Sequence, residues 1–71
     1  MTINDEQRFM VVMRYLAINF PERVVDADLV ESYFQDLSAF SIESVEEAAR
    51  AYVRVGTRFP FVSDLHQLAL S

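Results

Sequence analysis

An all-α bundle of four short helices is the fold the sequence predicts, on three observations. Apolar residues recur at three- and four-residue spacing in four separate stretches. Each stretch is bounded by residues that start or stop helices. Only one glycine and two prolines punctuate the 71 residues, too few for the many tight turns of an all-β chain. The chain is 52% hydrophobic, enough to build a core. Its length fits a single helical domain over residues 1–71.

The first helix is expected over about residues 4–19. Asn4 reads as its N-cap, with Asp5 and Glu6 in the first turn, where acids favour the helix dipole. Phe9, Val12, Met13, Leu16 and Phe20 form an inward stripe, and Pro21 stops the helix because the residue before a proline resists the α region. The opposite face carries Val11, Tyr15 and Ile18 beside Arg14. A helix apolar on two sides is central in its bundle or shared with a partner. Either the last helix covers that second face, or it is an exposed patch for a partner or a second copy of the chain.

The second helix is expected over about 26–37, opened by Asp26. Leu29, Val30, Tyr33, Phe34 and Leu37 make one stripe, and Asp28, Glu31, Ser32, Gln35 and Asp36 make the solvated side. Ser38-Ala39-Phe40 turns the chain, with Phe40 plugging the core at the corner. Ser41 caps a third helix over about 42–55, with Ser44 and Glu47 as an alternative capping box. Ile42, Val45, Ala48, Ala49, Tyr52 and Val53 face inward, and the two alanines allow close approach of a neighbour. Glu46 and Arg50 are four apart in the favourable order for an exposed pair. Gly56 ends this helix as a C′ glycine. A fourth helix is expected over about 62–70, with Ser63 as its cap, held by burial of Phe59, Phe61 and Leu65.

The composition excludes several chemistries. There is no cysteine, so neither disulfides nor thiolate metal sites are available, and the setting reads as reducing and cytoplasmic. The apolar runs are far too short for a membrane span. His66 is the only histidine and reads as a surface or helix-end residue, since a triad needs a nucleophile and an orienting group beside it. Asp26 and Asp28 lack the glycine and distal glutamate of a calcium loop and read as capping residues. No nucleophile–base, metal or cofactor constellation emerges, so the reading is of a non-enzyme. The net charge of −5 opposes direct nucleic-acid binding. All six bases are arginine. Arg50, Arg54 and Arg58 form a strip that could grip phosphate or a carboxylate-rich partner, although local pairing with Glu43, Glu46 and Glu47 is the preferred reading.

Several segments in order carry a resemblance. They are Phe20-Pro21, Tyr33-Phe34-Gln35-Asp36-Leu37, Ser44 to Tyr52 with its paired alanines, and Arg58-Phe59-Pro60-Phe61-Val62-Ser63-Asp64-Leu65. Together they resemble the helical N-terminal domain of phage replicative-helicase loaders of the loader-and-inhibitor type, over roughly Phe9 to Leu68. The resemblance implies a small all-α adaptor without catalytic residues of its own. Such an adaptor binds a hexameric replicative helicase, holds it inactive and assists its delivery to an origin-bound protein. Members of that family continue past this domain into a flexible segment, whereas this sequence stops at Ser71. On this reading Val11, Arg14, Tyr15 and Ile18 are the expected contact residues. Arg50, Arg54 and Arg58 would add charge; the runner-up reading is a small nucleic-acid-binding module using that arginine strip, and the third is a self-associating structural domain such as a homodimer.

Overall fold

The computed structural model describes residues 1–71 as four α-helices and no strands. They are α1 (Glu6–Asn19), α2 (Ala27–Asp36), α3 (Ile42–Val55) and α4 (Val62–Leu70), preceded by a 3₁₀ turn over Ile3–Asp5. Asn4 lies inside that turn and does not cap α1. The Asp5 carboxylate instead reaches back to accept the Thr2 backbone N–H at 2.9 Å. A side chain this close to the chain start satisfies whichever backbone donor the tight turn leaves free, and here that is Thr2.

The remaining boundaries follow from local chemistry. Phe20 leaves the helical region at φ −133°, ψ 74°, as the following Pro21 requires. Asp26 Oδ1 accepts the Leu29 N–H at 2.8 Å and starts α2. Ser41, not Ser44, caps α3, its Oγ accepting the Ser44 N–H at 3.1 Å. Helix α4 starts differently from the expectation. Ser63 is exposed in its first turn, and the Asp64 carboxylate accepts the Phe61 N–H at 2.9 Å. Gly56 closes α3 in extended backbone (φ −76°, ψ 150°), not in the left-handed region a C′ glycine serves.

The core gathers around Phe9, Met13, Leu16, Leu37, Val45 and Leu65, all essentially sealed from solvent. Its aromatic rings meet edge to face: Phe9 with Phe34 at 5.3 Å, Phe20 with Tyr52 at 5.7 Å and Tyr33 with Phe59 at 6.2 Å. Phe40 packs against this cluster from the corner and presents its ring to His66 at 4.9 Å. Two buried tyrosines reach the chain between α3 and α4. The Tyr33 hydroxyl donates to the Pro60 carbonyl at 2.7 Å, and the Tyr52 hydroxyl donates to the Arg58 carbonyl at 2.9 Å. Glu22, just after α1, accepts the Phe59 N–H at 2.6 Å. Three side chains thus satisfy the backbone of a segment with no helix of its own.

The centre of the bundle is α3. It packs against both α1 and α4, while α1 packs against α2 and α3. Ala48 and Ala49 are both buried and carry almost no side chain, so α3 admits a helix on each flank. The Cα envelope measures 29 × 28 × 16 Å. At 16 Å between outermost Cα atoms its thin axis holds two helix layers, with axes about 8–10 Å apart and a Cα radius of about 2.3 Å each, so no third layer lies over α1.

Candidate functional site

The second apolar face of α1 is open to solvent. Val11 is 63% exposed, Ile18 is 77% exposed and Tyr15 is 37% exposed. Arg14 is exposed among them. Helix α4 does not cover this face, because its packing partner is α3. The inward stripe of Phe9, Val12, Met13 and Leu16 takes up the side of α1 that the bundle can reach. Helical periodicity then leaves the other apolar set pointing outward.

The face is shaped as well as apolar. Val11 and Tyr15 form one wall of a groove of about 220 Å³, with Val12 and Ala49 at its base and Glu46 and Arg50 on the α3 wall. On the other flank of α1, Met10 and Ala17 line a second groove of about 260 Å³ against Val25, Ala27 and Val30 of the α2 side. Met10 is 46% exposed and extends the patch toward α2. Sequence reasoning overlooked it, although Met10, Arg14 and Ile18 are spaced at i, i+4 and i+8 and therefore share one ridge.

The arginines divide into two groups. Arg8 of α1, which the sequence did not single out, reaches across to α3. Its Nη2 and Nε donate to the two Glu46 carboxylate oxygens at 2.6 and 3.1 Å, and its Nη1 donates to Glu43 at 3.2 Å. The Glu46 hydrogen bonds hold the Arg8 guanidinium above its ordinary pKa, despite a smaller opposing effect of desolvation. Arg58 pairs with Asp64 at 3.1 Å and lies over the Phe61 ring at 4.3 Å. Arg14, Arg23, Arg50 and Arg54 make no ion pair. The expected Glu46–Arg50 pair within α3 is therefore not formed. Arg8 offers Glu46 a two-bond fork, a stronger arrangement than a single intrahelical contact.

The expected three-arginine strip is broken as a consequence. Arg58 is engaged at the start of α4, whereas Arg50 and Arg54 line a groove of about 320 Å³ between α3 and α4, with Ala48, Ala51 and Leu68 and with Glu47 on its rim. Arg50 belongs to both α3 grooves and stands on the ridge between them. It joins the apolar face of α1 to the cationic end of α3.

The remaining candidate residues take the following places. His66 is exposed and rests against Phe40. Asp26 is the cap of α2, and Asp28 sits exposed in its first turn. No group of three or more His, Asp or Glu side chains converges as a metal set would. No helix is long and apolar enough to cross a membrane. Burial raises the Tyr33 phenol above its ordinary pKa, and its hydroxyl donates a hydrogen bond to the Pro60 carbonyl. No protein-family model, curated protein or solved structure matches the chain.

Proposed function

We propose that this chain is a non-catalytic protein–protein adaptor that binds and modulates a replicative DNA helicase, as the phage helicase loaders it resembles do. The exposed apolar face of α1 carries the proposal. Val11, Tyr15 and Ile18 occupy an outward ridge where an isolated bundle gains nothing from apolar side chains, and a contiguous exposed patch of this kind is the mark of an interaction surface. The grooves flanking α1 give the patch relief into which side chains of a partner can insert.

Pull-down with a hexameric phage or bacterial replicative helicase tests the proposal at micromolar concentration and low salt. Retention of the wild-type chain and its loss in a folded Tyr15→Asp variant are expected. No retention of the wild type rejects the helicase as partner. A second reading rests on the unpaired Arg50 and Arg54, which could hold nucleic-acid phosphate. It predicts oligonucleotide binding that weakens steeply with salt, and it fails if no binding occurs at low salt.

A further inference from the structure

We propose that α2 is a flap that opens as a unit while α1, α3 and α4 stay packed, and that its opening bares the Met13 side of α1. The inference concerns the fold itself and stands whether or not a helicase is the partner.

The four helices are unequally held. Helix α3 packs along both α1 and α4, and the Arg8 fork ties it to α1. Helix α2 meets α1 over a smaller stretch and the other two helices still less. Only Tyr33 is buried among the ten residues of α2, with Leu29, Val30 and Phe34 half-buried, whereas α3 buries five residues of fourteen. None of the ion pairs involves α2. One hydrogen bond joins it to a distant part of the chain, from the Tyr33 hydroxyl to the Pro60 carbonyl. Its packing on α1 is also incomplete. A groove of about 260 Å³ runs along the seam, between Met13 and Ala17 of α1 and Val25, Ala27 and Val30 of the α2 side.

The two ends of α2 differ as a hinge requires. Leu37, just past its C-terminal end, is sealed in the core, and Phe34 nearby meets Phe9 edge to face. That end is the pivot. Before the other end, Glu22 is fixed to the Phe59 N–H, but Arg23, Val24 and Val25 make no hydrogen bond to the rest of the chain. Fully extended, the four residues from Arg23 to Asp26 reach about 13–14 Å. The start of α2 can therefore lift while Glu22 stays in place.

Lifting breaks the Tyr33–Pro60 hydrogen bond and the contact between the Tyr33 and Phe59 rings. It uncovers Met13, 1% exposed when α2 is down, beside Met10, which already lies at the surface. The open form presents more apolar surface than the closed one, and any ligand that prefers this surface raises the open population. An element with few buried contacts is where such sub-global opening occurs.

Native-state hydrogen exchange of the intact chain, read amide by amide by NMR in low concentrations of urea, tests the flap. Relative to their intrinsic rates, the amides of Val30 to Asp36 should exchange at least about tenfold faster than the slowest amides of α1 and α3. Their urea dependence should be shallower, because opening α2 exposes less surface than unfolding the domain. Two variants separate a flap from general weakness. Leu68 packs in the α3–α4 seam, which stays closed when α2 opens. Leu68→Ala should speed the slowest α3 amides about fivefold or more and leave α2 exchange within about twofold of wild type. Tyr33 loses its hydrogen bond in the open and the unfolded forms alike, so Tyr33→Phe should speed both sets by one common factor of about fivefold or more.

In the wild type alone, a common exchange free energy and urea slope for α1, α2 and α3 would overturn the inference. So would α2 exchange that quickens with Leu68→Ala as much as α3 does, or that is unmoved by Tyr33→Phe.

Discussion

Replacing Gly56 by alanine gives a test in which the backbone and the packing predict opposite signs. At φ −76°, ψ 150° the backbone suits any residue. With open space around it, a Gly→Ala change there would stabilise by about 0.4–1 kcal/mol through the unfolded chain. The space is not open. The Tyr52 ring crosses Gly56 on its way to donate to the Arg58 carbonyl. An added Cβ would fall 2.6 Å from Tyr52 Cζ and 2.8 Å from Cδ2, with a deeper overlap on Cε2. The overlap is with a buried ring held at both ends, by the helix and by its hydroxyl, so the strain is of the overpacking kind, about 1–3 kcal/mol. The net loss should be about 1–2 kcal/mol, or roughly 5–15 °C in a domain of this size. Thermal melts and urea titrations followed by far-UV circular dichroism measure it. A companion cycle repeats Gly56→Ala in a Tyr52→Leu background, with an excluded osmolyte added to both arms to keep the weakened domain folded. Once the ring is gone the alanine should become neutral or stabilising. A Gly56→Ala protein that melts at or above the wild type would refute the argument.

Three further outcomes are expected. Tyr33→Phe leaves the buried Pro60 carbonyl without its donor and should cost about 1–3 kcal/mol in urea titration. Burial raises the folded Tyr33 phenol, so above about pH 10 the unfolded chain loses this proton while the folded chain keeps it; stability should fall with rising pH in that window, and Tyr33→Phe should remove that part of the slope. Asp64→Ala, which strips the acceptor from the Phe61 N–H and the partner from Arg58, should cost about 0.5–2 kcal/mol, whereas Ser63→Ala should stay within about 0.5 kcal/mol; equal costs would restore Ser63 as the cap. Ile18→Glu should leave the unfolding midpoint within about 0.5 kcal/mol of wild type while helicase retention is lost, and a parallel loss of fold would place Ile18 in the core.

The four helices were legible because their causes are local. The spacing of Phe9, Val12, Met13 and Leu16, the proline after Phe20 and the Asp26 and Ser41 caps all act within a few residues. What escaped the sequence acts across helices. Arg8 meets Glu46 only because α1 and α3 are neighbours, and nothing in the spacing of either helix announces that. Gly56 fits the C′ pattern in the sequence because that is the commonest use of a glycine there, whereas its role comes from a ring whose path depends on Arg58. Asp64 displaced Ser63 as the residue that starts α4, since two candidates one position apart differ only in which backbone donor the turn presents. The second apolar face of α1 was visible as Val11, Tyr15 and Ile18, but periodicity does not say what covers a face. That answer required the thin, α3-centred packing.

Arg8 has an effect at a distance from its own position. It and Arg50 are rivals for one carboxylate, and the rival from α1 holds Glu46. Were position 8 to become neutral, Glu46 would be released toward Arg50, and the cation on the ridge between the grooves would be quenched from inside the molecule. Under the adaptor reading proposed above, a partner that used Arg50 would then meet a weaker surface although no residue it touched had changed. Change at position 8, one turn before Val11, could thus alter the charge of the exposed face while leaving the helices and the residues of that face as they were.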